Sequence, residues 1–360
     1  MSRFVRQVIL PGFGNEAQQK LKKSKVLIIG AGGLGCPALL YLAAAGIGTI
    51  GIIDGDTIAE SNLNRQVMYG EAEVGINKAQ AAAHHLKSKY HDVNIQCIPE
   101  FLTTSNAVSY IQTYDLVIDG SDNFPTRYLV NDICVLLGKP LVFAAIYQNE
   151  GQLALFNTKK GDIHYRDLFP EPPKDSEIPN CNETGVLGVL PGIMGIMQAA
   201  EAIKFLTGYG EVLTGKILYY NLLNHQTYTL ALEKHPASEQ MLPNNLTEFE
   251  SRDYALFCDA KEVISWKEAL RLIEKNSKSI LIDVRELNER PELQGHAHMK
   301  IPFSGPHDII PEMKEAEGIY LFCQSGIRSL RMARELSQTL SGKKIYSIIG
   351  GIESPDAPLN

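Results

Sequence analysis

From Lys25 the apolar positions fall into short β-branched runs separated by stretches of helical length: KVLIIG, TIGIID, VNIQCI, DLVIDG and PLVFAA. Strand-length runs at helix-length intervals predict βαβ units and a mostly parallel sheet. After residue 150 the rhythm changes. GQLALF, GKILYYN and QTYTLAL lie closer together and alternate, which predicts antiparallel strands appended to that sheet. Between the first two of these stands RDLFPEPPKDSEIPNCNE, polar and rich in proline, expected as a long crossing loop. The longest apolar stretch, roughly 184–206, is interrupted by Pro191, Gln198, Glu201 and several glycines, so it reads as a buried helix rather than a membrane span.

A second break follows at HPASEQMLPNNLTEFESRD, which has no sustained period and is expected as an interdomain linker over 236–260. Beyond it a compact pattern predicts helix 265–276, strands SILIDV and IYLFC, helix 327–340 and strand IYSII, with little or no closing helix. No internal repeat is evident. The expected fold class is α/β. A Rossmann-like, mostly parallel sheet with appended antiparallel strands fills 1–235, and a smaller α/β domain fills 261–360.

Composition narrows the function. A length of 360 residues suits two domains, and the formal net charge of −7 argues against a general nucleic-acid role. The six cysteines, at 36, 97, 134, 181, 258 and 323, form no CxxC pair, which points to a reducing, cytoplasmic setting rather than a disulfide framework. The start MSRFVRQ has no apolar segment behind it, so no secretory signal and no membrane partner are expected.

GAGGLG at 30–35 follows a strand and opens a helix. Glycines there let the backbone approach a phosphate, and the helix N-terminus supplies oriented N–H groups. Asp54 ends the next strand, where an acidic residue binds ribose hydroxyls. This turn alone fits NAD-dependent oxidoreductases as well as ATP users. The residues that follow break the tie: Asp54-Gly-Asp56, SNLNRQ at 61–66, Lys78 in NKA, and DGSDNFPTR at 119–127. Hydride transfer has little use for such cations. Forming an acyl-adenylate needs cations on the phosphates, a carboxylate for the metal and positioning groups on the nucleotide, and Arg65, Lys78, Asp122 and Asn62 are of those types.

With RQVILPGFG, GAGGLGCP, DGDTIAESNLNRQ, VGINKA, DGSDNF, FPEPP, CNETGVLGVLPGIMG and EAIKFLTG in order, residues 3–232 resemble the MoeB/ThiF family, relatives of ubiquitin-activating enzymes. The resemblance implies ATP with Mg2+, and a small ubiquitin-like sulfur-carrier protein of the MoaD or ThiS type as the partner whose C-terminal Gly-Gly carboxylate is adenylated. It places Gly33 at the phosphates, with Gly30 and Gly32 beside it in the cofactor-binding set, Asp54 at the ribose, Asn62, Arg65 and Lys78 on the triphosphate and Asp122 on magnesium. Asp56, Gln66 and Asn123 complete the nucleotide set, and Arg6 would reach the nucleotide of a partner subunit, implying a homodimer.

Many members of that family fix the crossing loop with two CxxC pairs on zinc. Here His164-Tyr-Arg-Asp167 and HPASEQ stand at those places, so no structural zinc is expected.

Two cysteines carry candidate chemistry. Cys181 ends the polar loop, and its match to the family's CNETGV implies a transient bond to the carrier or resolution of an acyl disulfide. In IYLFCQSGIRS, Cys323 ends a strand and the turn after it leads into a helix. Its backbone N–H groups, the helix dipole and Arg328 would favour a thiolate and then a persulfide. This segment resembles the rhodanese active-site loop, with further similarity over 262–352 through LIDVREL and IYSIIGGI. Cys323 and Arg328 enclose four residues, one fewer than the loop of related phosphatases. Asp283 and Arg285 are expected as structural partners of the loop, and His296 and His298 carry no assigned chemistry.

The resulting expectation is an adenylyltransferase with sulfurtransferase activity. A Cys323 persulfide, loaded by a donor such as a cysteine desulfurase, attacks the carrier's acyl-adenylate and yields a thiocarboxylate for molybdopterin or thiamine biosynthesis. Tethering the donor raises its effective concentration. The alternatives are a rhodanese domain that only docks partners, a non-catalytic scaffold, and an NAD-dependent oxidoreductase.

Overall fold

A computed structural model of the chain describes residues 3–170, 185–252, 254, 263–293, 295–305, 309–324, 326–340, 342–354 and 357–358. Its contacts divide the chain into Met1–Tyr254 and Ala255–Asn360. The first unit is built on β1 (Lys25–Ile29), β2 (Thr49–Ile53), β3 (Asn94–Ile98), β4 (Leu116–Asp119), β5 (Leu141–Tyr147), β6 (Glu150–Phe156), β7 (Lys216–Asn221) and β8 (Thr227–Ala231). They form one sheet in the order β3-β2-β1-β4-β5-β6-β7-β8. β1 to β5 run parallel, and β6 to β8 are added antiparallel, as the change of rhythm after residue 150 predicts.

Every residue of β1 after Lys25 is buried, which explains its unbroken apolar run. The chain order reverses beside β1, where β2 lies on one side and β4 on the other. In open α/β sheets that switch point leaves a crevice beyond the carboxyl ends of the strands. Helix Val189–Thr207 is long and apolar enough to cross a membrane, yet it packs with helix Gly35–Ala45 in the sheet's core cluster through Leu190, Met194, Ala199 and Ala202. Its buried Gln198 donates from Nε2 to the Asp119 carbonyl at 2.7 Å, so the helix is registered by a hydrogen bond as well as by apolar contact.

Tyr128, Phe143, Phe156 and Tyr165 pack ring against ring under helix Phe124–Leu137. Beside them lies a buried polar network. Arg166 grips both oxygens of Asp132 at 2.7 Å each, and the Tyr254 hydroxyl donates to Asp132 Oδ2 at 2.7 Å. Asp167 Oδ1 accepts from His235 N at 3.0 Å and Ser238 Oγ at 2.6 Å, and its Oδ2 accepts from His164 N at 2.9 Å. The segments that stand at the family's two CxxC pairs are therefore joined through one carboxylate. Both ring nitrogens of the buried His164 lack hydrogen-bond partners, and burial lowers its pKa. Among the described residues the ligand types here are Asp132, Asp167, His164 and His235; both carboxylates are already engaged by N–H and O–H donors, and no three of these side chains form a metal-binding group. That set does not fit the four nitrogen or sulfur ligands of a structural zinc.

The linker expected over 236–260 is corrected in part by this packing. Residues up to Tyr254 belong to the first unit, with Ser238, Phe249 and Tyr254 all buried and Asn245 capping helix Leu246–Ser251. Proline and asparagine there mark helix starts and turns on a packed surface.

The second unit has β9 (Val263–Ile264), β10 (Ser279–Asp283), β11 (Met299–Lys300), β12 (Gly318–Phe322) and β13 (Lys344–Ile348), all parallel in the order β11-β10-β12-β13-β9. β12 is central and wholly buried, with a separate apolar cluster on each face of the sheet. Helices Trp266–Lys275 and Ile327–Thr339 match the predicted ones, and the last described element is a short 3-10 turn at Gly351–Glu353. The Trp266 indole is anchored to the Gly351 carbonyl at 2.6 Å.

Replacing Asp132 by Ala leaves the 2% exposed Arg166 without its carboxylate, and an uncompensated buried charge costs about 3–5 kcal/mol. Tyr254→Phe removes the hydroxyl's hydrogen bond to that carboxylate and costs about 1.5–3 kcal/mol. Urea denaturation should rank the two in that order, and equal midpoints would contradict the network.

Candidate active sites

A cleft of about 480 Å3 opens at the switch point of the first unit. Its floor is the turn after β1. Gly30 has φ +88°, and a Cβ added there would lie 2.9 Å from the Gly120 carbonyl. A Cβ on Gly35 would lie 1.9 Å from the Gly30 carbonyl, so the helix starts where only hydrogen fits. Asp54 holds this turn to β2: its Oδ2 accepts from Ala31 N and its Oδ1 from Asp56 N, each at 2.8 Å. Burial raises the Asp54 pKa, and the two N–H donors oppose that rise.

The cleft wall collects Gly30, Gly32, Gly33, Asp54, Asp56, Arg65, Gln66, Lys78, Asp122 and Asn123 from five separate stretches of sequence. Lys78 is 7% exposed, with Nζ 3.1 Å from Asp56 Oδ2. Arg65 donates from Nη1 to the Ser61 carbonyl at 2.9 Å and to Asn64 Oδ1 at 3.0 Å. Asp122 and Asn123 sit on the exposed turn between β4 and helix Phe124–Leu137. Asn123 caps that helix by accepting from Thr126 N at 3.0 Å, a bond of the kind that contributes about 1 kcal/mol.

Two expected members stand apart. Asn62 is not on the cleft wall, and its Oδ1 accepts from Ala59 N at 3.3 Å, closing a short turn. Arg6 is exposed on helix Val5–Val8, also off the wall.

Two residues that the sequence reading passed over help to shape the site. Asn77 caps helix Lys78–Lys89, and its Nδ2 donates to the carbonyls of Asp54 and Asp56, so it aims Lys78. Arg127 lines the cleft at 8% exposure, with its guanidinium over the rings of Phe124 and Phe143 and its Nε without a hydrogen-bond partner. Its signal was present as the last residue of DGSDNFPTR. Asp119, fully buried, accepts from Ser121 N at 2.9 Å and Ser121 Oγ at 2.6 Å. Burial raises its pKa, while Arg127 lowers it.

In the second unit Cys323 directly follows β12 and is 1% exposed. Its Sγ accepts from Gly326 N at 3.1 Å and lies 3.5 Å from Ser329 Oγ, so a backbone N–H of the turn does face the sulfur. The expected role of Arg328 is modified by a partner that the sequence reading did not name. Its Nη1 and Nη2 bind Glu289 Oε1 and Oε2 at 2.6 and 2.7 Å. Asp283 and Arg285 are both buried and paired with each other at 2.8 Å, and Arg285 also donates to the Pro291 carbonyl, which is a structural role. Cys181 lies outside the described residues. Burial pushes the Cys36 thiol up to about 12 and raises Cys134 as well, so neither is poised as a nucleophile.

The chain is similar to several known proteins. A model described as the ThiF family matches residues 4–241. A Mycobacterium tuberculosis protein named "Probable adenylyltransferase/sulfurtransferase MoeZ" is 40% identical over 344 residues, covering 91% of this chain and 86% of its own. The sulfur carrier protein adenylyltransferase of Thermus thermophilus is 46% identical over 72% of this chain and 96% of its own. The adenylyltransferase and sulfurtransferase MOCS3 of Aedes aegypti is 36% identical over 98% of this chain and 86% of its own. The crystal structure of E. coli MccB with ATP shares the fold at a TM-score of 0.53 and 24% identity, covering 61% of this chain and 67% of that one.

Gly35→Ala forces a methyl group into the Gly30 carbonyl and should destabilise by about 2 kcal/mol or more. Gly192→Ala, in open space on helix Val189–Thr207, should be neutral or stabilising by about 0.5–1 kcal/mol. Denaturant midpoints for the two variants check the pair, and a silent Gly35→Ala would refute the close approach.

Proposed function

The chain belongs to the ThiF family, and from that premise we propose that it adenylates the C-terminal Gly-Gly carboxylate of a small ubiquitin-like sulfur-carrier protein and then delivers sulfur to it from Cys323. One observation carries the reading. A glycine-floored cleft bearing Arg65, Lys78 and Asp122 and a strand–cysteine–turn–helix segment ending in Arg328 occur in the same chain.

In the first step the carrier's carboxylate oxygen attacks the α-phosphorus of ATP and pyrophosphate departs. Arg65 and Lys78 offset the charge that accumulates on the phosphates, and the turn at Gly30–Gly33 lets their oxygens reach backbone N–H groups. Asp122 is the carboxylate that would hold Mg2+, which characteristically binds through one or two carboxylates plus substrate phosphates and supplies Lewis-acid stabilisation of the departing pyrophosphate. The pairing of Lys78 with Asp56 keeps the ammonium directed along the wall before nucleotide arrives.

In the second step the terminal sulfur of a Cys323 persulfide attacks the acyl carbon and AMP leaves, giving an acyl disulfide. A thiol, with Cys181 as the candidate in this chain, attacks the Cys323 sulfur. It displaces the thiocarboxylate and leaves a disulfide that a further thiol reduces. A cysteine desulfurase is the class of donor that supplies the persulfide, and the thiocarboxylate serves sulfur insertion of the molybdopterin or thiamine type. A cytoplasmic setting matches the free thiols at Cys36, Cys97, Cys134 and Cys323. The exposed Arg6 supports a homodimer in which it serves the partner's nucleotide.

Asp122→Ala should reduce carrier-dependent ATP–pyrophosphate exchange by at least a hundredfold, within the range for losing a transition-state charge contact. Cys323→Ala should retain exchange while yielding no thiocarboxylate by intact mass. Wild-type exchange in the first variant, or thiocarboxylate from the second, overturns the assignment.

A further inference from the structure

Arg328 ends the Cys323 loop, where an unpaired cation would draw small anions. In the structure its fork is filled. Both terminal nitrogens bind Glu289, and the pair is part-buried, with side-chain exposures of 29% and 26%. Glu289 is itself fixed, because its Oε1 also accepts from Glu286 N at 2.7 Å on the loop that leaves β10. Glu286 is engaged in turn by Ser304 through its N–H and hydroxyl. Two further cations of that loop are engaged elsewhere, Arg285 by Asp283 in the interior and Arg290 by Glu292. Arg328 adjoins Ser329, whose Oγ lies 3.5 Å from Cys323 Sγ, so the ion pair belongs to the turn that holds the sulfur, and the Arg328 pKa is raised chiefly by Glu289.

This arrangement bears on which sulfur donor the loop accepts, and it rests on the sulfurtransfer reading above. We propose that Glu289 is a specificity-determining residue. By occupying and neutralising Arg328 it lets Cys323 take sulfane sulfur from a thiol persulfide while discriminating against thiosulfate.

The two donors differ in charge at the moment of attack. With a protonated persulfide, R–S–SH, the Cys323 thiolate attacks the outer sulfur and the S–S bond breaks. R–S− leaves with the electron pair, and Cys323–S–SH forms and loses its proton. The donor is uncharged at its reacting end and needs no guanidinium. With thiosulfate the same attack breaks the S–S bond and expels sulfite, but the donor enters as a dianion. To bind Arg328 in the two-pronged manner that favours such anions, it must displace a bidentate carboxylate and leave that carboxylate unpaired beside it. A like charge held at the site also disfavours the dianion before contact.

The test uses the full-length chain and reads persulfide formation on Cys323 by intact mass against donor concentration, with thiosulfate and cysteine persulfide as the two probes. Glu289→Gln, nearly isosteric, should shift the thiosulfate-to-persulfide ratio of kcat/KM towards thiosulfate by about tenfold, the scale of one charged contact. The shift should lie in the thiosulfate KM and fade at high salt. Glu289→Asp, which keeps the charge, should restore discrimination to within about threefold of wild type. An unchanged ratio in Glu289→Gln, or an equal change with both donors, overturns the proposal while leaving sulfurtransfer intact. Loading of wild-type Cys323 from neither donor overturns the sulfurtransfer reading, and this inference with it.

Discussion

The contact between the turns that follow β1 and β4 is what the cleft of the first unit depends on. Gly30 and Gly120 bring two backbones together where no side chain fits, and Asp54 ties the first turn to β2 through Ala31 and Asp56. With those turns in contact, the N-terminus of helix Gly35–Ala45 opens at the carboxyl end of the sheet. The loop bearing Asp122 comes onto the same wall as Lys78 and Arg65. Backbone packing brings these charged side chains to one wall, and there the Lys78 ammonium is already paired with Asp56.

A second constraint holds the far part of that unit. Asp132 and Asp167 are buried carboxylates engaged by several donors: the distant Arg166 and Tyr254 for one, the neighbouring His164 N–H and the distant His235 and Ser238 for the other. Low local dielectric magnifies both the bonds made and those missing, and here both carboxylates are fully engaged while the His164 ring nitrogens are not. It joins the start of the crossing loop to the end of the unit, the same two places that cysteine pairs would join through a metal. The structural consequence is similar, although here the joint depends on burial.

Much of the fold was legible from the chain. The inner parts of strand runs such as KVLIIG and DLVIDG, VLII and LVI, are unbroken apolar stretches because both faces are covered, and the shorter spacing after residue 150 marked the antiparallel additions. Gly30, Gly33, Arg65, Lys78 and Asp122 could be named from motif order and do meet at one cleft. Asn62 stands off the cleft wall: its residue type suits a phosphate ligand and a turn-closing acceptor equally, and here it closes a turn. Glu289 went unnoticed because it is 39 residues from Arg328 and sits in the charged stretch RELNERPEL, where nothing local distinguishes it from solvated neighbours. The stretch from His235 to Arg252 read as linker because its apolar anchors, Leu242 and Phe249, are few and far apart, and burial of so few side chains leaves no period to detect.

The amino-acid order by itself determined the two-part α/β organisation, the glycine turn after the first strand and the cysteine at the end of a strand in the second unit. These follow from local rules: the period of apolar residues, the φ freedom of glycine and the chain's own punctuation. Tertiary structure alone decided the partners of charges. Arg328 meets Glu289, Asp132 meets Arg166 and Tyr254, and Arg127 settles over Phe124 and Phe143. Ion pairs of this kind join residues with no fixed separation along the chain. Their energy depends on distance and burial, both of which exist only once the sheet and its helices have packed.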